Sequence, residues 1–308
     1  MLHFRQLQDG KKVFDALSSG VRIKILEMIM DDNELNLDAF AKKLGISNSA
    51  VTMHIRKLSE AGLISITTAS GIRGSKKICA LTCDKIMVEL NKEAVPTDIH
   101  STELNIGQFS DYEIMPTCGI VTADGVIGEF DEPRYFSYPE RYNAAALWFS
   151  SGYLRYRLPN SLRTGEKLTE LQISFEIASE APGFSAHYPS DIYFSINGVP
   201  LGFWTTPGEY NDRRGLFTPD WWFLNLGQYG KMKMLSVNAQ GTFIDGFAIS
   251  DVTVDQLQIS PNSEISFVIS SPKDAANSGG LTLFGKHFGD YNQGISVNML
   301  FEKSPDAD

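Results

Sequence analysis

Cysteine is scarce: Cys79, Cys83 and Cys118 are the only three in 308 residues. An odd and sparse set gives no disulfide framework of the kind small secreted domains use. Cys79 and Cys83 form a Cys-x-x-x-Cys pair with no further ligands nearby, and Cys79 sits inside an apolar strand pattern. Both read as structural thiols, and no metal site is expected. Long apolar runs are also missing, so no segment reaches the ~20 residues a membrane-spanning helix needs. The chain opens on Met1-Leu2-His3-Phe4-Arg5, which is not a secretion signal, and the expected location is the cytoplasm. Basic residues are in short supply, 27 Lys and Arg against 37 Asp and Glu, for a net charge of −10. The shortage is uneven. Residues 1–95 hold 14 basic and 11 acidic side chains, while the remainder holds 13 and 26. An acidic surface repels phosphates, so any contact with nucleic acid belongs to the first part. The length suffices for two domains, each burying its own core.

The first part contains one stretch with a clear physical logic, Ser47 to Ile64. Ser47 is a polar cap, Val51, Ile55 and Leu58 recur at helical spacing to form a buried stripe, and Gly62 stops the helix. Ser47, Asn48, Ser49, Thr52, Met53, Arg56 and Lys57 lie at its N-terminal end or outer side, where short polar side chains reach base edges and cations reach phosphates. His54, beside Ile55 on the core side, reads as a packed or capping residue. Helical patterns also fit Val13 to Leu17, Val21 to Met30 and Leu37 to Leu44, the last ending at Gly45, which is the joint of a helix-turn-helix. Leu63 to Thr68 and Lys76 to Leu81 have strand character around the Gly/Ser turn Ala69 to Ser75. The result is a wing with Arg73, Lys76 and Lys77 on or beside its tip.

Phe14-Asp15-Ala16-Leu17-Ser18-Ser19, Arg22-Ile23-Lys24-Ile25-Leu26, Ala41-Lys42-Lys43-Leu44-Gly45-Ile46-Ser47 and the helix that follows resemble the ArsR-type winged-helix transcriptional regulators over about the first 90 residues. The resemblance implies a homodimer on a roughly palindromic, double-stranded operator, released by a ligand, and a further helix at Ile86 to Leu90 in the dimer interface. Family metal sensors often carry a Cys-x-Cys pair on the helix before the recognition helix. Here that helix reads Leu37-Asp38-Ala39-Phe40-Ala41-Lys42-Lys43-Leu44, without a thiol.

Beyond Tyr112 the pattern changes to short, alternating, aromatic-rich segments punctuated by Gly and Pro. Strands are expected at Leu154–Leu158, Leu171–Ile177, Ile192–Ile196, Met232–Val237, Thr253–Ile259, Glu264–Ile269, Leu281–Phe284 and Ile295–Phe301, and Asn197-Gly198 is a hairpin turn. The fold class expected is a multi-domain α+β chain: a winged helix-turn-helix over 1–95, a connector over 96–114, and an all-β jelly-roll-like sandwich over 115–308. Tyr153 to Pro159, the strand ending Glu176-Ile177-Ala178-Ser179, and Asp191 to Phe203 are similar to jelly-roll carbohydrate-binding modules. That resemblance, covering about 135–303, implies a sugar-type ligand.

Sugars are held by aromatic faces together with carboxylates and amides, and both occur in the loops Glu180–Asp191, Trp204–Arg214, Thr218–Trp222 and Lys286–Gln293. Glu180, His187, Asp191, Trp204, Trp221 and Trp222 are the candidate ligand contacts. Trp221 and Trp222 are adjacent, so in a strand one of them faces the core, and Trp148 reads as core. Gly125, Gly128, Gly279 and Gly280 form turns, not a phosphate cradle, and no cofactor is expected. A carboxylate pair such as Glu180 and Asp191 is also the equipment of glycoside hydrolysis, but carboxylates are plentiful in an acidic domain, and the expected role is regulatory, not enzymatic. The rival reading makes the sandwich a protein-interaction or dimerisation platform.

Overall fold

The computed structural model describes residues 2–4, 7–31, 37–71, 74–83, 86–88, 98–180 and 185–303, in two compact units, Met1–Pro96 and Thr97–Asp308. Among its described residues the first unit has four helices, α1 (Lys11–Leu17), α2 (Gly20–Asp31), α3 (Leu37–Leu44) and α4 (Asn48–Glu60). Around them lie β1 (Leu2–Phe4), the hairpin of β2 (Ile64–Gly71) and β3 (Gly74–Leu81), and β4 (Ile86–Val88). Their apolar faces share one core: Val13 from α1, Ile25 and Ile29 from α2, Phe40 from α3, and Val51, Ile55 and Leu58 from α4. Each such side chain contributes roughly 1.5–3 kcal/mol by leaving water. Arg22, buried at the start of α2, donates to the Ala16 and Asp15 carbonyls at 2.6 and 2.7 Å, which satisfies the C-terminal end of α1. Gly45 turns between α3 and α4 at φ +67°, a conformation that costs a side-chain-bearing residue. The helix implied at Ile86–Leu90 does not form over its described part. Ile86–Val88 is a strand parallel to β1, because three apolar residues too few for a helical turn of burial can still complete a backbone ladder. Residues 89 and 90 lie outside the described set.

The described residues of the second unit form an antiparallel β structure of twelve strands. These are β5 (Asp98–Leu104), β6 (Phe109–Val121), β7 (Ala146–Leu158), β8 (Glu166–Ala178), β9 (Ser190–Ile196), β10 (Val199–Thr206), β11 (Lys231–Asn238), β12 (Gly241–Ile244), β13 (Phe247–Ser250), β14 (Ile265–Ser271), β15 (Leu281–Phe284) and β16 (Ile295–Lys303). One layer runs β6-β7-β14-β9-β10 and the other β5-β16-β8-β11-β12-β13. Strand β15 joins them, pairing Leu281–Phe284 with β7 on one side and Thr282–Phe284 with β8 on the other. At the opposite rim Ser250 donates to the Leu201 carbonyl at 2.8 Å, so the sheet is nearly closed. The β9–β10 hairpin turns on Asn197 (φ +52°) and Gly198 (φ +80°), the two positive angles of a type I′ turn.

Two expectations fail here. The 96–114 connector contains β5 and the start of β6. As the outermost strand beside β16, β5 keeps polar residues outward and buries only Leu104 fully, so it lacks a strand's apolar alternation. Thr253–Ile259 is not a strand but carries a short 3₁₀ turn, Val254–Leu257. Gln256 Oε1 accepts from the Thr253 amide at 2.8 Å, while Val254 and Leu257, three apart, point inward.

Glu176 ties the loops at one end of the sandwich. Fully buried, it accepts from the amides of Gly230 (2.8 Å), Asp290 (2.9 Å) and Tyr291 (2.9 Å). Asp290 in turn takes a bidentate contact from Arg213 at 2.8 and 2.6 Å. Glu176→Ala would leave three amide donors unsatisfied and should cost at least ~3 kcal/mol. All four tryptophans, Trp148, Trp204, Trp221 and Trp222, lie in this unit, so thermal unfolding of the full chain followed by tryptophan fluorescence measures the loss directly; an unchanged melting temperature contradicts the role.

Candidate functional site

On the first unit the site is the outer face of α4. Ser47 caps the helix, its Oγ accepting from the Ala50 amide at 3.3 Å, and also contacts Ser49 Oγ at 2.9 Å. Asn48 donates its side-chain amide to Asp38 at 2.8 Å, which fastens the start of α4 to α3, and Thr52 Oγ1 donates to the Asn48 carbonyl at 2.8 Å. These three residues therefore spend part of their hydrogen-bonding capacity on helix geometry. Ser49, Thr52, Met53 and Arg56 stand at i, i+3, i+4 and i+7, exposed on one face. Among the described residues Arg56 pairs with Glu60 at 3.4 Å, a solvent-exposed pair that a phosphate or a guanine can replace. Lys57 is exposed as well. His54 is half-buried; burial first, then the charges of Arg22 and Lys57, holds its imidazole below the ordinary range. Arg73 lies outside the described residues. Of Lys76 and Lys77 only the backbone is described, opposite Ala69 and Thr68 in the wing.

On the second unit a cavity of about 170 Å³ opens at the end where β15 joins the two layers. Its origin is the period-two alternation of the strands. On β15, Leu281 and Leu283 enter the main core, whereas Phe284 enters a second apolar cluster with Ala146, Trp148, Trp222 and Phe288. On β7 the same split puts Leu147 and Phe149 inside and Ala146 and Trp148 beneath the cavity. Gly119, facing Trp148, makes room for the indole: a Cβ there would sit 2.2 Å from the ring. Phe130, half out in solvent at 39 % exposure, leans on Trp148 with ring centroids 5.3 Å apart. Glu180, just past β8, supplies a carboxylate that accepts from Thr117 Oγ1 at 3.1 Å and Thr282 Oγ1 at 3.4 Å. Asp131 and Glu209 complete the acidic lining, Asp131 being held by the Cys118 amide at 2.9 Å. Burial pushes the Glu180 carboxyl up to about 8 against those two hydroxyls, and the Asp131 charge adds to the rise.

Of the six residues proposed for ligand contact, the structure brings Glu180 and Trp222 to this cavity. Trp221 packs edge-on against Trp222 and donates Nε1 to the Ala123 carbonyl at 2.6 Å. Trp204 lies under Lys233, whose Nζ is 4.1 Å from the ring centroid. His187 is exposed on its loop. Asp191 is buried and does not line the cavity: it accepts from Thr205 Oγ1 (2.6 Å), the Asn277 amide (3.0 Å) and Asn277 Nδ2 (3.0 Å). Burial alone would raise its pKa, but those bonds outweigh it and hold Asp191 below the usual carboxylate range. Glu180 and Asp191 thus do not share a cavity as an acid and base pair would. Sequence reasoning missed Phe130 and Asp131, which share one loop, and did not single out Glu209 and Phe288 within the loops Trp204–Arg214 and Lys286–Gln293 that it named. Trp148 is buried as expected, in the second apolar cluster, and also lines the cavity. The unbroken apolar run Ala144–Phe149 was the available signal for a strand covered on both faces.

Residues 17–67 match the helix-turn-helix domain family, a stretch that spans α2 to the start of β2 and points to DNA binding by the first unit. No curated protein matches the chain. Among solved structures, the Cry4Aa toxin of Bacillus thuringiensis is 12 % identical over 78 % of this chain and 30 % of its own, with a TM-score of 0.30. PorU of Porphyromonas gingivalis is 10 % identical over 66 % of this chain and 14 % of its own, at 0.23. The carbohydrate recognition domain of Emp47p is 10 % identical over 70 % of this chain and 92 % of its own, at 0.21. This chain thus spans under a third of the first two proteins, and likenesses this distant carry over neither fold nor activity. No described helix is long and apolar enough to cross a membrane.

The raised Glu180 pKa fixes the sign of a pH effect. Folded, the carboxyl holds its proton to about pH 8; unfolded, it releases it near ~4.3. Its contribution to stability is therefore full at low pH and is lost as pH rises through about 8. Glu180→Gln, which stays neutral, should melt several degrees above the parent near pH 9 and at about the same temperature near pH 4; equal melting temperatures at both would contradict the burial of this charge.

Proposed function

We propose that the protein is a ligand-responsive transcriptional regulator of the ArsR-type winged-helix kind. It binds double-stranded operator DNA as a homodimer, in the compartment that holds the DNA. The observation that carries this reading is the exposed row of Ser49, Thr52, Met53 and Arg56 on the second helix of a helix-turn-helix. Ser47 and Asn48 set the pitch of that helix, while Lys57 and the wing residues Arg73, Lys76 and Lys77 meet the phosphate backbone. The cavity beside Trp148 and Trp222 holds a carbohydrate or a related small molecule, contacted by Glu180. Apolar ring faces beside a carboxylate are what such ligands require, and 170 Å³ is close to the ~150 Å³ of an engineered protein cavity that admits one benzene ring. No cofactor enters this reading. Ligand binding alters DNA affinity to the extent that it favours one of the DNA-competent and incompetent states.

The rival, a sandwich serving as a protein-interaction platform, is favoured by one observation: Phe223 and Leu224 are exposed on the loop that carries Trp222.

Two experiments test the reading. At fixed salt, Arg56→Ala should weaken binding to a duplex selected from a random-sequence library by about tenfold; an unchanged affinity removes Arg56 from the interface. A thermal-shift screen of the full chain against mono- and disaccharides should give saturable stabilisation for one class. No shift, together with self-association that Phe223→Ser and Leu224→Ser abolish, would favour the platform.

A further inference from the structure

We propose that the cavity selects a small cationic amine, an amino sugar or similar ammonium-bearing molecule, seated against Phe130, Trp148 and Trp222 with its charge toward Glu180. The inference deepens the ligand reading above and rests on it.

Hydrogen-bonding complementarity is the first argument. The polar side chains lining the cavity are Thr117, Thr282, Asp131, Glu180 and Glu209. Thr117 Oγ1 donates to Glu180, and Thr282 Oγ1 is shared between the Ser179 carbonyl at 3.1 Å and Glu180 at 3.4 Å. Both hydroxyl protons are therefore taken and, once Glu180 gives up its own, the wall accepts and has little to give. A neutral sugar presents hydroxyls that both donate and accept, whereas an ammonium group only donates. None of the described lining residues is Lys, Arg or His, so a phosphate or carboxylate ligand would meet only like charge.

Ring geometry is the second argument. Phe130 and Trp148 meet at 71° with centroids 5.3 Å apart, Trp148 and Trp222 at 61° and 5.7 Å, and Phe130 and Trp222 at 74° and 6.4 Å. Three rings at steep mutual angles form the corner of a box. A cation placed in such a corner meets more than one negative ring face, which is how aromatic cages hold alkylammonium groups. The position is sheltered, since Trp148 and Trp222 are 9 % and 5 % exposed, and shelter strengthens both the ring attraction and the attraction to a carboxylate.

Electrostatics is the third. Glu180 sits buried with Asp131 nearby, and both effects drive it to keep its proton. A bound cation reverses them by supplying the missing counter-charge.

The test uses the full chain and four probes: glucosamine, glucose, methylamine and tetramethylammonium, each titrated against tryptophan fluorescence and by calorimetry. Glucosamine should bind at least about tenfold more tightly than glucose, and tetramethylammonium should bind saturably. Tetramethylammonium does not titrate, so its affinity should rise between about pH 6 and pH 9 as Glu180 ionises against Asp131 and Glu209. Glu180→Gln should lower the affinity for all three cations by about tenfold, remove most of that pH dependence and weaken glucose by a smaller factor. Phe130→Ala, at the exposed rim, should weaken cation binding several-fold without changing the melting temperature. If glucose binds as well as glucosamine and tetramethylammonium does not bind, the cation inference is overturned while the sugar-binding reading stands. Should the cations bind Glu180→Gln and Phe130→Ala as they bind the parent, they bind elsewhere and the inference fails. Silence from all four probes on folded protein would overturn both.

Discussion

Strand β15 is the constraint on which the second unit depends. It is four residues long and buried on both faces, because it is the only described strand that pairs with both layers at their junction. A strand with no solvent side must send alternate residues into two different apolar environments. Leu281 and Leu283 complete the main core, while Phe284 is turned into a second one and Thr282 lines the cavity beside it. That second environment has too few strands to close itself. It is finished by loops, which bring Trp222, Phe288 and Phe130, and where the loops fail to meet they leave the cavity. Glu176 then fixes two of those loops from below by accepting their amides, so a buried carboxylate on β8 positions a site that it does not line.

The sequence was most legible where a single physical rule decides the outcome. Helix periodicity with a polar cap identifies α4 to within a residue, and Asn197-Gly198 identifies its hairpin because few other pairs tolerate two positive φ angles. It was least legible at the edges. Strand β5 pairs on one side only and keeps its polar residues outward, so its alternation is faint. Val254 to Leu257 has strand-like composition and a helical spacing of two buried residues, and the Thr253–Gln256 cap decides between them. The cavity was legible in part for a related reason. Trp222 and Glu180 could be picked out as aromatic and acidic loop residues, but Phe130, Asp131, Glu209 and Phe288 are brought in by tertiary folding across up to 158 positions of chain. No local pattern encodes that convergence. Asp191 shows the converse error: read from sequence as an acidic loop residue and ligand contact, it lies on β9 and spends its acceptors on Thr205 of β10 and on Asn277 of the segment after β14.

The charge distribution divides the work. The first unit offers an exposed Arg56 and Lys57 on a helix whose opposite side is fully committed to the core. The second is acidic and gathers carboxylates around aromatic rings, a surface unsuited to DNA and suited to a small donor-bearing molecule. Regulation requires these two chemistries to be coupled through the free energies of the states they favour, and that coupling is reciprocal.

The most direct measurement is therefore a fluorescence-anisotropy titration of a labelled, library-selected duplex with the full chain at fixed salt, with and without a saturating concentration of the probe that fills the cavity. A regulator should show DNA affinity shifted by about fivefold or more, and DNA should shift the affinity for the probe by the same factor. Identical affinities with the cavity empty and filled would contradict the central claim and leave the two units as independent binding modules on one chain.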